Sequence, residues 1–358
     1  MPVLSAFPAA REAVLVLLTL AAAAYMDALG ARLPPGGRRL AAALPVLAAF
    51  FAAPLLYDRV TEPASTVVAI NFPWLSNLTV VSWAMGRGAL AQTRPLAGTF
   101  AFLLAGAAIP ADATSARPGA APPPAHRSSL LRVGFKLVLL LGAVCAFECW
   151  HLPGPISSGL QSVTLYLFIS SALEGAALVA WLLSGLPAAP QFDLPMLSSS
   201  LGDFWGRRWN TVAGIKHRQA VFEPICEGFV AKPGGSKRRP SHLRRALAVC
   251  ATFAVSGVVH EMGYFYMTGR LSGRWMLFFS LQGPLLVIEA QLAAAARRAG
   301  LRVPRPLAIL ATLTVLQSLA GPLLFADMLK ADLPRRVLHQ VWPGAPGGLC
   351  TAAARRRV

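Results

Sequence analysis

The sequence predicts an all-α polytopic integral membrane protein, a helical bundle of about eight transmembrane helices. Two observations carry that prediction. Hydrophobic residues make up 55% of the 358-residue chain and charged residues only 13%, against about 25% charged in an ordinary soluble domain. The apolar residues also come in runs close to the roughly 20 residues that a helix needs to cross a bilayer.

In chain order the runs fall at about 13–30, 38–57, 64–86, 129–150, 158–184, 244–265, 271–292 and 305–328. The first lacks the basic start and cleavage site of a secretory signal, and more runs follow, so it is expected to be retained as a span. A ninth apolar run at 97–110 is short and ends in Pro110. It fits a broken, re-entrant or interfacial element, whose open backbone groups need protein or water around them. Residues 111–128 are small, polar and proline-rich and are expected to be a connector. Residues 232–242, with Pro233-Gly234-Gly235 and a basic run, are expected to be a second loop. The whole chain, 1–358, is expected to form one membrane-embedded domain with a basic amphipathic cytosolic segment at 185–243.

The formal net charge is +18. Its basic residues cluster between apolar runs, with no nucleic-acid-binding signature beside them, so membrane topology and an anionic cosubstrate explain them better than DNA or RNA. Arg32, Arg38 and Arg39, then Arg87 to Arg127, then the 185–243 segment, then Arg297 to Arg305 all fall on one side of an eight-span chain. The positive-inside rule makes that side cytosolic. The basic tail Arg355 to Arg357 then sits on the opposite side, against the rule. The five cysteines show no disulfide framework. Cys145 and Cys149, in an apolar run, are expected to be small hydrophobes rather than metal ligands, and no metal site is expected.

The segment 190–210 is the first chemical signal. Ser198, Ser199 and Ser200 suit a helix cap. Leu201, Phe204, Trp205 and Trp209 share one face at helical spacing. Asp203 and Arg207, four apart, suit an ion pair. The bland account is an amphipathic helix at the membrane interface. Asn210 carries an amide that both donates and accepts, and is either a cap or a group that contacts a reacting carbonyl. Arg207, Arg208, Lys216, His217 and Arg218 are either flanking charges or contacts for the phosphates of a coenzyme.

His260-Glu261 is the second signal. The run 247–267 is apolar on both sides of it. Ionisable residues inside a span are costly and point to function by default. His260 can take a proton near neutral pH. Adjacent helical residues point about 100° apart, so Glu261 need not touch His260. It is expected either to pair with an arginine or to orient a turn. Glu174 and Glu289, also in apolar runs, are not expected to react, and Glu289 suits a basic partner or a cavity wall.

These residues carry a resemblance. Ser200-Leu201, the block from Asp203 through Phe204-Trp205-Gly206-Arg207-Arg208-Trp209 to Asn210, Ser256-Gly257, His260-Glu261, Tyr264-Phe265-Tyr266 and the stretch 71–90 are similar to the plant wax synthases. These long-chain-alcohol O-fatty-acyltransferases are a branch of the membrane-bound O-acyltransferase superfamily. The resemblance spans nearly the whole chain. It implies that family's helical bundle, with His260 as general base and Asn210 positioning the thioester or steadying the oxyanion. Asp203, Trp205, Arg207, Arg208, Trp209, Lys216, Arg218 and Glu261 are then expected around the substrates. The implied substrates are long-chain acyl-CoA and a fatty alcohol or other lipid alcohol. Acyl-CoA is a cosubstrate here, and no bound cofactor is expected. The implied setting is the endoplasmic reticulum membrane. Gln282-Gly283 departs from a His-Gly pair frequent in the family, which leaves a sterol acceptor as the alternative. A lipid transporter and a non-catalytic lipid-binding protein are the other classes, the first disfavoured because no inverted repeat is visible.

Overall fold

Two helices of 27 and 25 residues, His242–Thr268 and Arg274–Arg298, form an antiparallel hairpin on which the rest of the site is built. The computed structural model describes residues 8–88, 90, 96–105, 125–149, 154–184, 191–228 and 240–341. Every regular element among them is helical. In chain order the elements are α1 (Pro8–Arg32), α2 (Gly37–Ala42), α3 (Leu44–Ala52), α4 (Pro63–Ala84), α5 (Leu96–Ala105), α6 (Ala125–Cys149) and α7 (Gly154–Ser184). After these come α8 (Thr211–His217), α9 (His242–Thr268), α10 (Arg274–Arg298), α11 (Arg305–Lys330) and α12 (Leu333–Val341).

Among the described residues, six helices are long and apolar enough to cross a membrane: Ala10–Arg32, α4, Ile156–Leu183, α9, α10 and α11. They coincide with six of the eight expected spans. At the other two places the apolar helices are shorter, Leu44–Leu56 and Val133–Val144. The first is broken because Pro45 and Pro54 cannot donate a backbone hydrogen bond, and the chain tightens into a 3-10 turn at Ala53–Leu56. The apolar surfaces of these helices are widely exposed, as Leu17, Leu131, Leu182, Leu292 and Leu310 show, and lipid covers such faces.

The short apolar run at 97–110 begins as α5, and residues 106–110 lie outside the described part. α5 packs between α1 and α7, and Ala101 and Leu103 are fully buried. Its last carbonyls have no partner within the helix. Ser76 Oγ donates to the Leu103 carbonyl at 2.6 Å and Asn71 Nδ2 to that of Leu104 at 3.3 Å. Side chains of α4 thus supply the bonds that a short helix at membrane depth requires. Glu174 pairs with Lys136 between α6 and α7. The connector 111–128 lies outside the described residues up to 124, as do 232–239 and the basic tail. Cys226 and Cys250 are free thiols, and Cys145 and Cys149 have no described side chains.

The turn at Gly36, the end of α4 and the Glu223–Glu227 stretch meet at one end. Gly36 N donates to Ala84 O at 2.9 Å, and Arg87 reaches Glu223 and Glu227. The opposite end collects residues 57–65, the α9–α10 turn and α12. There Arg11 pairs with Glu62, Arg336 donates to the Arg59 carbonyl, and Gln340 accepts from Ala64 N.

Candidate active site

The α9–α10 hairpin owes its closeness to two glycines. A Cβ on Gly257 would stand 2.7 Å from the Met276 carbonyl oxygen, and one on Gly283 would stand 2.8 Å from Cys250 Cα. Small residues that let backbones touch are how helices associate in lipid. Glu261 closes the turn. Its carboxylate accepts from Ser272 N, from Gly273 N at 2.7 Å and from Met276 N at 3.1 Å. The expected substrate contact is therefore corrected: both carboxylate oxygens are occupied by unpaired N–H groups at the start of α10, where the helix dipole favours negative charge. Of the two alternatives read from sequence, Glu261 orients a turn.

This hairpin fixes His260. Its Nδ1 lies 2.7 Å from the Ser256 carbonyl, which can only accept, so Nδ1 carries the proton and neutral His260 keeps a lone pair on Nε2. The imidazole stacks on Phe279 at 3.6 Å between centroids, and Trp74 of α4 meets it edge-on at 4.9 Å.

The 191–228 segment wraps this hairpin. Ser200 Oγ accepts from Asp203 N at 2.8 Å, the expected cap. Glu289 of α10 holds the same turn, accepting from Leu201 N at 2.7 Å and Gly202 N at 2.9 Å. Asp203 pairs with Arg207 at 3.1 Å, as its spacing predicts, and with Arg208 at 2.9 Å. Burial raises the Asp203 carboxyl, but Arg208, the Ser199 N–H and Arg207 outweigh it and hold it below the usual carboxylate range. Leu201, Phe204, Trp205 and Trp209 pack in one cluster with Leu285, Leu286 and Leu316. The backbone there is a π turn over Phe204–Arg208 rather than a continuous amphipathic helix. Trp205 donates from Nε1 to Gln282 Oε1 at 3.0 Å and lies against Phe253, Phe278 and Phe279. Trp205 and His260 thus share Phe279.

Asn210 is buried, in the left-handed region at φ 40°, and caps α8 through an Oδ1 bond from Ala213 N at 3.1 Å. Its Nδ2 makes no hydrogen bond among the described residues. Asn210 and His260 share no hydrogen bond either. Arg207 and Arg218 keep exposed side chains, at 77% and 67%. Lys216 does not face solvent, which corrects its expected place among phosphate contacts. It is buried and donates to Thr79 Oγ1 at 2.6 Å and to the Leu75 carbonyl at 3.2 Å. Burial without a carboxylate lowers it from 10.5 to about 7.

Sequence reasoning missed Phe279 and placed His217 among the basic flank or phosphate contacts. Phe279 is one of many phenylalanines in apolar runs, and no local signal sets it apart. His217 reads as part of a basic flank, yet it is buried.

Four π turns surround the hairpin, at Phe72–Ser76, Phe204–Arg208, Arg218–Phe222 and Gly321–Phe325. The first brings Trp74, the second Trp205, the third packs along α9, and the fourth seats Phe325 with Phe278 and Phe279. Such turns occur often at functional sites.

A protein of Arabidopsis thaliana named acyl-CoA–sterol O-acyltransferase 1 is 30% identical to this chain over 315 residues, covering 86% of this chain and 87% of the relative. The model of the "Membrane bound O-acyl transferase family" matches residues 188–281. The chain belongs to the membrane-bound O-acyltransferase family. Within that family it is also similar to the Arabidopsis protein named probable long-chain-alcohol O-fatty-acyltransferase 1, at 28% identity over 324 residues, 88% of this chain and 90% of the relative. Another, probable long-chain-alcohol O-fatty-acyltransferase 6, is 28% identical and covers 71% of this chain and 70% of its own length. This membrane-bound O-acyltransferase is a multi-pass membrane protein, and the matched region runs from the segment before Asp203 into α10, through both Asn210 and His260.

Proposed function

We propose that the chain esterifies a long-chain fatty alcohol with an acyl group from acyl-CoA, releasing a wax ester and coenzyme A. One observation carries the proposal: the Nδ1–H of His260 is committed to the Ser256 carbonyl, so its Nε2 lone pair is free to act as a base. As the hydroxyl oxygen attacks the thioester carbon, Nε2 takes the hydroxyl proton. The carbonyl oxygen then bears negative charge, and Asn210 Nδ2, which makes no hydrogen bond among the described residues, is the donor assigned to it. The oxyanion collapses, the carbon–sulfur bond breaks, and His260 returns the proton to the sulfur. Arg207 and Arg218, with exposed guanidiniums, suit the coenzyme phosphates, with Arg208 beside them. Lys216 is left out of that set because its ammonium is buried. Burying the acyl tail between helices contributes about 0.8 kcal/mol per methylene.

The alternative acceptor is a sterol, favoured by the relative whose name states that activity. Both readings use the same residues, one membrane domain spanning 1–358, and no resident cofactor. On this reading the enzyme works in the endoplasmic reticulum membrane, with the basic 185–243 segment on the cytosolic side. Membranes from a host free of its own wax-ester synthesis, given labelled palmitoyl-CoA with hexadecanol, a sterol and diacylglycerol, provide the test. Hexadecyl palmitate is the expected product, and a sterol ester moves the assignment to the alternative. His260→Ala at equal expression is expected to lower ester formation by about a hundredfold or more; parental turnover by that variant rejects His260 as base.

A further inference from the structure

A second imidazole stands directly before the π turn Arg218–Phe222, which packs along α9, the helix that carries His260. This is His217, at the end of α8. Its Nδ1 donates to the Ala213 carbonyl at 2.9 Å, so Nε2 is left as a pure acceptor. That Nε2 is buried and has no hydrogen-bond partner among the described residues. Burial lowers His217 from 6.5 to about 4, so the ring is neutral at ordinary pH and Nε2 keeps its lone pair. Trp74, whose ring touches His260, carries the complementary group: its Nε1–H is buried, donor-only and likewise unpartnered. Leaving a buried polar atom unpaired is costly, about 1–3 kcal/mol, and native structures do so rarely. Two such atoms of opposite character, one on a ring in contact with His260 and one at the start of the π turn that packs along α9, mark a place where a polar ligand completes the bonding. The acceptor accepts only from an N–H or O–H. The donor suits a carbonyl or hydroxyl oxygen.

We propose that His217 is a substrate-positioning residue whose Nε2 accepts a hydrogen bond from a polar hydrogen of the substrate held beside His260. This rests on the acyl-transfer reading above. That hydrogen has two possible sources, an amide N–H in the arm of acyl-CoA next to the thioester, or the hydroxyl of the alcohol. Neither requires His217 to exchange a proton.

The test uses the full chain in membranes, varying palmitoyl-CoA and hexadecanol in turn, for the parent, His217→Leu and His217→Gln. Leucine removes the acceptor at similar volume, and glutamine returns one. In His217→Leu the KM for one substrate rises about tenfold, the equivalent of about 1.4 kcal/mol, and His217→Gln recovers most of it. A rise for palmitoyl-CoA assigns the hydrogen to the coenzyme arm, and a rise for hexadecanol assigns it to the alcohol. The ligand-free His217→Leu protein unfolds at the parental temperature or above it, since an unpaired buried acceptor has been removed. Unchanged KM for both substrates overturns the proposal. So does equal loss with both substrates and a lowered unfolding temperature in both variants, which makes His217 structural. If His217→Leu does not fold, parental KM values need to persist in His217→Gln, and a tenfold rise there overturns the proposal. A parent that forms no ester with any alcohol overturns the acyl-transfer reading itself, an outcome separate from an active parent indifferent to His217.

Discussion

Lys216 and His217 are adjacent basic residues that the fold buries together, and burial acts on both through the same cause. Removing a cation from water without an anion beside it disfavours the charged form. For Lys216 the amine falls from 10.5 to about 7. The unfolded chain therefore holds a proton that the folded chain has released across the window from about 7 to 10.5. Stability rises with pH wherever the unfolded state binds more protons, so this contribution grows through that window and is lost as pH falls through about 7. Lys216→Met is expected to unfold at a higher temperature than the parent at pH 7, with the gap closing toward pH 10. Thermal unfolding in detergent across that range checks it, and a gap independent of pH would contradict the assignment. The sequence concealed this pair because Arg207 to Arg218 looks like the basic flank of a span. Its burial comes from Leu75 and Thr79, more than a hundred residues earlier in the chain. The Asp203–Arg207 pair and the Ser200 cap, by contrast, are set by spacings of four and three and were legible directly.

At the scale of elements, the α9–α10 hairpin depends on the absence of two side chains. Gly257→Val would drive a Cβ to 2.7 Å from the Met276 backbone oxygen, which cannot move without shifting α10. Overpacking of this kind costs about 1–3 kcal/mol, and here it also displaces Phe279 from the His260 ring. The expected outcome is a lower unfolding temperature with activity lost ahead of expression, read by fluorescence-detected size exclusion beside the ester assay. The long apolar runs predicted this hairpin, since α9 and α10 each carry enough apolar residues to be seen without context. The π turns were not predictable in the same way. Each breaks the 3.6-residue period on which a helical face is read, so Trp205 could be named as a site residue but not aimed, and Trp74 was not singled out at all. The expected span at 38–57 suffered a related fate, because hydrophobicity counted through Pro45 and Pro54 while the backbone did not.

At the scale of the whole molecule, two clusters tie the first half of the chain to the second. One joins Arg87 to Glu223 and Glu227; the other gathers Arg11, Glu62, Arg336 and Gln340 at the opposite end. Arg87→Met is expected to destabilise the fold by about 3 kcal/mol, near the lower end for a broken buried pair, because both glutamates keep some solvent contact. Chemical denaturation in mild detergent measures it; a loss below about 1 kcal/mol would place Arg87 with weak surface pairs.

The four π turns have one more consequence, for how such a site changes over generations. Each holds a residue more than the α turn it replaces, and everything beyond it is rotated by about 100°. Losing a single codon inside Phe72–Ser76 would rewind the helix and swing the far half of α4 about its own axis, while leaving its hydrophobicity almost untouched. Substitution trims this site in small steps. Insertion and deletion turn it like a dial, so a relative with one residue more or fewer at these four places presents a different wall to its substrate.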